Sequence, residues 1–335
     1  MLVFAAETSC DETSVCIMAK NKKIFSHIIY SQEVHERFGG VVPELASRAH
    51  LETLQSITKK AFKEASLKTK DIDIFTATCG PGLMGGLLVG STFAKSLALG
   101  SKKPFIPINH LEGHILSTSY NNKIIFPHLV LLITGGHTQI YLLKNFEEII
   151  LLGETVDDAL GEAFDKVSKL LGLPYPGGKE LEKKSEEGNE NFYDLPRPMT
   201  DKDNYNFSFS GIKTAVNLII KKNKIDKYII RNMSASFQKC VTDILLYKLK
   251  NVILNLQNKN INISSFSLVG GVANNKYIKS NLSRLKHSHN VDILIPEKQM
   301  ISDNAAMIAW ACIKNFNNKN QDLNFKPNPR LKIHD

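Results

Sequence analysis

The chain has 335 residues, 43% of them hydrophobic and 22% charged, with a formal net charge of +9. That length exceeds what one compact core usually serves, so two domains are expected. Its longest apolar stretches are strand-sized or broken by glycine and polar residues, and MLVFAAETSC opens without a basic leader. Neither a signal peptide nor a membrane span is therefore expected, and the chain reads as a soluble cytoplasmic protein. Cys10, Cys16, Cys79, Cys240 and Cys312 are scattered with no CxxC pair, as reduced, mostly buried thiols would be. The positive balance suits a phosphate-rich partner. It equally reflects Lys and Asn in featureless stretches such as 255–262 and 315–320, so charge alone leaves nucleic-acid binding open.

In chain order, apolar runs at 2–6 and 15–19 flank the polar turn ETSCDET at 7–13, which predicts a β-hairpin. A helix is expected over Pro43–Ala65, with proline at its start and Leu45, Ala49, Leu51, Leu54, Ile57 and Phe62 at mostly helical spacing. Residues 72–78 then run into Gly80-Pro81-Gly82 and a helix of small residues. The hairpin layout returns at 129–133 and 140–143 around TGGHT at 134–138, and 266–269 runs into Gly270-Gly271. Further helices are expected over about 234–256 and 305–316. Hairpin followed by strand, glycine turn and helix, once in each half, is the pattern of a duplicated α/β domain, whose cleft would be a ready phosphate site. Coincidence between two common βα patterns is the alternative. The second half is longer, so an insertion is expected over about 151–231; Pro174, Pro176, Pro196 and Pro198 suit loops there. Lys221, Lys222 and Lys224 are either a phosphate contact or a solvated helix face.

His110-Leu111-Glu112-Gly113-His114 places two imidazoles four residues apart, one above the other on a helix. That geometry suits two ligands of one transition metal, and it equally suits two histidines bonding to backbone at a strand end. Glu112 stands in the middle of the pair, where HExxH requires the glutamate directly after the first histidine. Asp303, just before an apolar small-residue helix, is a third candidate ligand for a site with open positions; as an alternative or in addition it caps that helix. GPGLMG at 80–85 matches GxGxxG after a strand, yet no Asp or Glu occurs between Asp73 and Glu112 to bind a ribose, and no GK[ST] follows. Those glycines serve close helix packing or bring amides near an anion. Gly135-Gly136 and Gly270-Gly271 are tight turns or phosphate cradles.

Taken together, ETSCDETS at Glu7, GGVVPELASRAH at Gly39, GPGLMGGLLVG at Gly80, HLEGH at His110 and TGGHTQ at Thr134 resemble the TsaD/Gcp family. The likeness continues through GEAFDKVSKLLGLPYPGG at Gly161, RPMT at Arg197, FSFSGIKT at Phe207, GGVANN at Gly270 and SDNAAM at Ser302, over nearly the whole chain. Members were historically called O-sialoglycoprotein endopeptidases and are now regarded as tRNA threonylcarbamoyladenosine transferases.

The resemblance implies an α/β, actin-like or hexokinase-like fold with a duplicated RNase H-like core, two lobes and an interlobe cleft. The lobes would be 1–125, completed by a C-terminal helix at about 303–325, and 126–302. It implies metal ligands His110, His114 and Asp303 for one divalent ion, iron(II) or alternatively zinc. Substrate-binding positions fall on Leu132, Ile133, Thr134, Gly135 and Gly136, then Asp165, Gly178 and Asn275. A further one is Glu182, which is Asp in many relatives, and Lys179 stands where a proline is common. The implied reaction moves threonylcarbamoyl from threonylcarbamoyl-AMP to N6 of adenosine 37 in tRNAs reading codons that begin with adenine. Asp11 and His137 are candidates for proton handling, or orient the ligands instead. Implied partners are tRNA, a TsaB-like paralogue forming a heterodimer, and a TsaE-like ATPase, with no membrane. The competing readings are a metallopeptidase, a kinase or ATPase of the same fold, and a non-catalytic scaffold.

Overall fold

A computed structural model describes residues 1–200, 204–222, 225–316 and 321–333. Lys224 of the basic cluster and 317–320 of the expected C-terminal segment lie outside them. The chain divides into two compact units, Met1–Asn122 with Pro296–Asp335, and Lys123–Ile295.

In the first unit, β1 (Leu2–Glu7), β2 (Glu12–Ala19) and β3 (Ile24–Ser31) form an antiparallel meander. After helix α1 (Pro43–Ala65), β4 (Ile74–Gly80) pairs parallel with β1; after α2 (Met84–Ser101), β5 (Phe105–Asn109) pairs parallel with β4. The sheet order is β3-β2-β1-β4-β5, and α3 (His110–Ser117) follows directly. Every residue of β4 is buried, as expected of a parallel strand covered on both faces. Phe4, Ile17 and Phe75 meet Leu54 and Ala61 in the core, and fully burying a Phe contributes about 1.5–3 kcal/mol. On α1 the buried stripe is Ala46, His50, Leu54, Ile57 and Ala61, at spacings of three and four. Leu51, which follows the same apolar pattern in sequence, is 70% exposed.

The second unit repeats the plan. β6 (His128–Ile133), β7 (Thr138–Leu143) and β8 (Ile149–Glu154) form a meander, and helices α4 (Leu160–Leu170), α5 (Gly177–Ser185), α6 (Ser210–Lys221) and α7 (Lys227–Asn258) follow. Then β9 (Ser265–Val269) pairs parallel with β6, α8 (Lys276–Leu282) and α9 (Leu285–His289) intervene, and β10 (Asp292–Leu294) pairs parallel with β9. The order β8-β7-β6-β9-β10 has the same sequence of antiparallel and parallel pairings as the first sheet. Two meanders, each extended by two parallel strands, exclude coincidence and establish duplication.

Two expectations need correction. The segment 151–231 is not mainly loop: it begins inside β8, holds α4, α5 and α6, and ends inside α7. Its prolines fall between these helices, which they can precede without losing an amide bond. The long helix begins at Lys227, seven residues before 234, because Asp226 accepts a bond from Ile229 N and caps it. Helix α10 (Ala305–Asn315) returns to the first unit, where it packs on α3, β1 and β2 and is buried almost all round. The five cysteines form no disulfide, and no helix among the described residues is long and apolar enough to cross a membrane.

Within the second sheet, His128 bonds to Ser267 Oγ at 2.7 Å and Ser265 Oγ at 3.2 Å. Burial pushes its imidazole down to about 4, with a bond to the Ser265 backbone opposing only in part. The unfolded chain therefore binds one proton more than the folded one between about pH 6.5 and 4, and stability falls as pH falls through that window. Denaturant titrations at pH 7 and 4 should show the wild type losing roughly 3 kcal/mol more than a His128→Gln variant. Equal losses would contradict this assignment.

Candidate functional site

The β5 strand turns into α3 without a loop. Asn109 Oδ1 accepts from Leu111 N at 2.9 Å and Glu112 N at 3.4 Å, so Asn109 is the cap and His110 is the first helical residue. The two histidines are thus released from capping, and their rings meet edge-on with centroids 4.9 Å apart. The same holds across the unit. Asn304 Oδ1, not Asp303, caps α10, accepting from Ala306 N and Met307 N, and Asp303 turns to the histidines instead. Its Oδ1 lies 2.9 Å from His114 Nε2 and its Oδ2 lies 3.6 Å from His110 Nε2. One ligand atom from each of the three lies within 4.8 Å of the others.

Behind His110, Nδ1 is 3.3 Å from Glu7 Oε2 and 3.2 Å from Ser9 Oγ. Glu7 is buried and held in turn: Ser9 N donates to its Oε1 at 2.7 Å and the Thr78 hydroxyl donates to its Oε2. Burial opposes charge on both partners. Even so, the Asp303 and Glu7 carboxylates push His110 up to about 9, and His110 holds Glu7 below the ordinary carboxylate range. Burial, followed by Asp303 and Asp11, holds the Glu12 carboxyl well above its usual range. The carboxylates of Glu7 and Asp303 thus favour positive charge at the position between them. Neither Glu7 nor Ser9 stood out in sequence; the available signal was a glutamate closing a buried strand.

The donor set fits a divalent transition metal. Two imidazole nitrogens and a carboxylate suit a borderline ion better than magnesium, which prefers oxygen and water. A carboxylate on the far nitrogen of His110 is the arrangement that fixes the tautomer and aim of a metal-bound histidine. On His114, Nδ1 has no hydrogen-bond partner among the described residues, so the packing around the buried ring sets its orientation.

Glu112 points elsewhere. It is 4% exposed and its Oε1 accepts from Asn315 Nδ2 on α10, which ties α3 to the far end of the helix that Asp303 precedes. Gly113 marks the crossing: a Cβ there would lie 2.9 Å from Ile308 Cδ1 and 3.2 Å from Met307 Cγ. The glycines after β4 likewise serve packing, since a Cβ on Gly86 would meet the Thr8 carbonyl at 2.2 Å. Ser9 O also accepts from Leu83 N at 2.7 Å, so α2 is pressed onto the turn that carries Ser9 and Asp11. Asp11 itself is half-buried in that turn, where its carbonyl accepts from Gln32 N.

The remaining candidates lie in the second unit. Leu132 and Ile133 are buried at the C-terminal end of β6 and have only backbone to offer. In the following turn, Thr134 N donates to His137 O, and Thr134 Oγ1 accepts from Gly136 N at 3.3 Å and His137 N at 3.0 Å. Those two amides are therefore used by the turn, although space above Gly135 and Gly136 is open. Asp165 Oδ1 accepts from Gly177 N at 2.8 Å and fixes the start of α5, with open space above Gly178. Glu182 Oε1 accepts from Lys276 N at 2.6 Å, so the longer acid spans to α8. Asn275 caps α8 through Ile278 N and donates to Gln238 Oε1. Glu182, Gln238, Lys276 and Tyr277 line a cavity of about 300 Å³.

The duplicated sheets define an actin-like, hexokinase-like α/β protein, to which the first unit adds a His-His-Asp donor set. The chain belongs to the tRNA N6-adenosine threonylcarbamoyltransferase family, whose model matches residues 23–310. It is 44% identical over 332 residues to the protein of that name from Wolbachia pipientis wMel, covering 99% of this chain and 98% of the relative. It is 46% identical over 340 residues to the one from Thermosipho africanus, covering 99% and 100%. In fold it is similar to HypF from T. kodakarensis, with a TM-score of 0.60 at 13% identity over 94% of this chain and 48% of that one. It is also similar to an activator of 2-hydroxyisocaproyl-CoA dehydratase from Clostridium difficile, with a TM-score of 0.52 at 14% identity over 95% and 97%.

Proposed function

We propose that this protein transfers threonylcarbamoyl from threonylcarbamoyl-AMP to N6 of adenosine 37 in tRNAs reading codons that begin with adenine. The observation that carries the reading is family membership over almost the whole chain, and the meeting of His110, His114 and Asp303 supports it. In the reaction, the N6 amine attacks the carbamoyl carbonyl carbon, the bond from that carbon to the phosphate oxygen breaks, AMP leaves with the electron pair, and N6 gives up a proton. Adenylate is a good leaving group, so positioning and charge stabilisation are the main tasks.

Leu132, Ile133, Thr134, Gly135, Gly136, Asp165, Gly178, Glu182 and Asn275 would hold the adenylate. The two bonds that Thr134 Oγ1 accepts keep its turn in one shape, and the bond that Glu182 accepts from Lys276 N keeps the cavity walls together. Asp11 and His137 are the candidate acceptors of the N6 proton. His110, His114 and Asp303 would hold one divalent metal, iron(II) in this reading with zinc as the alternative, and the ion would supply Lewis-acid polarisation of the acyl donor. Glu7 and Ser9 aim His110 for that purpose. A cytoplasmic setting, a TsaB-like paralogue and a TsaE-like ATPase complete the proposal.

The test is reconstitution with tRNA and threonylcarbamoyl-AMP, with and without both partner proteins, followed by nucleoside analysis. N6-threonylcarbamoyladenosine should form when all components are present. Its absence from the complete mixture, together with robust ATP turnover by the isolated chain, would replace this reading with that of an ATPase.

A further inference from the structure

The second unit carries an exposed aromatic strip that no part of the proposed chemistry uses. Phe192 is 42% exposed and Tyr228 is 46% exposed. Their rings meet edge-on with centroids 5.3 Å apart, and Tyr193 adds a second edge-on contact to Phe192 at 4.8 Å. The Arg231 guanidinium lies 5.2 Å over the Tyr228 ring. Large aromatics left in water in one group, with a cation stacked on them, are unusual for a surface with no ligand.

The strip is built rather than incidental. Asn232 and Ser236 are one turn apart on α7 and face the same way. Asn232 Oδ1 accepts from Asn189 N at 2.8 Å and Ser236 Oγ accepts from Tyr193 N at 3.0 Å. The segment that carries Phe192 is thereby pinned along the first turns of α7, against Tyr228. Leu195, 1% exposed, anchors its far end.

Charge adds a direction. Among the described residues, Lys227, next to Tyr228, and Arg231 enter no ion pair, whereas Asp226, Asp194 and Glu190 are each engaged. Asp226 caps α7, Asp194 pairs with Arg197 at 3.0 Å, and Glu190 accepts from the Tyr277 hydroxyl at 2.6 Å. Glu190 and Tyr277 also line the cavity beside Glu182, so the strip continues from the candidate substrate site.

We infer that Phe192, Tyr193, Tyr228 and Arg231 form a stacking platform for unpaired RNA bases. Aromatic faces bind every base, a stacked guanidinium adds attraction, and Lys227, next to Tyr228, is placed to meet a phosphate. The occupant is the single-stranded loop of the tRNA substrate, so the inference rests on the transferase reading above. A duplex would not serve, because its bases are stacked on one another and their faces are covered.

The experiment uses the full chain and two fluorescent RNAs, a hairpin with a seven-nucleotide unpaired loop and a fully paired duplex of equal length. The wild type should prefer the hairpin. Phe192→Ala and Tyr228→Ala should each weaken hairpin binding about tenfold, leaving duplex binding and the melting temperature almost unchanged. Phe192→Tyr and Tyr228→Phe should restore hairpin affinity. In transfer assays the alanine variants should raise KM for tRNA with little change in kcat. The platform is overturned if folded alanine variants bind the hairpin like the wild type, if the wild type prefers the duplex, or if the variants lose a protein partner and keep RNA. Failure of the wild type to form the modified nucleoside would sink the transferase reading separately, because hairpin binding is measured without turnover.

Discussion

Replacing His114 by alanine should lower transfer by about 10³-fold or more, because the charge stabilisation a bound metal supplies is worth several kcal/mol. The imidazole is wholly buried, and its Nε2 is the atom presented to Asp303. Its Nδ1 has no partner among the described residues, so truncation orphans no donor on that side. The cost to folding is then mainly a cavity, roughly 2–5 kcal/mol on the scale of large-to-alanine core changes, and His114→Gln should recover part of it without restoring transfer. Metal content by elemental analysis should fall with activity while near-ultraviolet circular dichroism stays native. Modified tRNA made at an undiminished rate by the variant would remove the metal from the mechanism.

The duplicated core was legible because both copies keep the same order of hairpin, glycine turn and helix, and local periodicity reports such elements well. The weaker edges were not. β3 has only Ser26 fully buried and β10 has three residues, so neither carries a clean alternation. α4 to α6 carry no such signal: the prolines beside them suggest loop, while partners that bury Phe164 and Leu181 lie far along the chain on α7.

At the candidate centre, spacing alone exposed the histidine pair. What it left open, capping or convergence, depends on which neighbour caps. Asn109 and Asn304 take that task on α3 and α10, and Asp303 is left to face the imidazoles. Glu7 was hidden for a different reason. Its contact with His110 joins residues 103 apart in sequence, through a β-sheet pairing that no local pattern encodes.

Glu112 separates a metalloprotein built for group transfer from a peptidase. A peptidase needs a carboxylate that activates metal-bound water, and in that case Glu112→Gln should be as damaging as Glu112→Ala. The structure gives Glu112 another task. Its carboxylate accepts from Asn315 at one end of α10, while Asp303, ahead of the other end, meets His114; the two contacts fix how α10 crosses α3 over Gly113. Glutamine keeps an Oε1 acceptor for Asn315, so Glu112→Gln should retain transfer and metal affinity within a few-fold. Alanine leaves a buried amide unpaired at about 1–3 kcal/mol and frees one end of the crossing. Metal affinity should then fall about 10- to 100-fold, as when a supporting partner of a ligand is removed. Asn315→Ala should reproduce part of that loss, because it breaks the same bond from the other side. A cobalt-substituted protein offers a readout apart from turnover: its visible spectrum should be unchanged in Glu112→Gln and altered in Glu112→Ala. Glutamine and alanine variants that proved equally inactive with native spectra would return Glu112 to the role of a base.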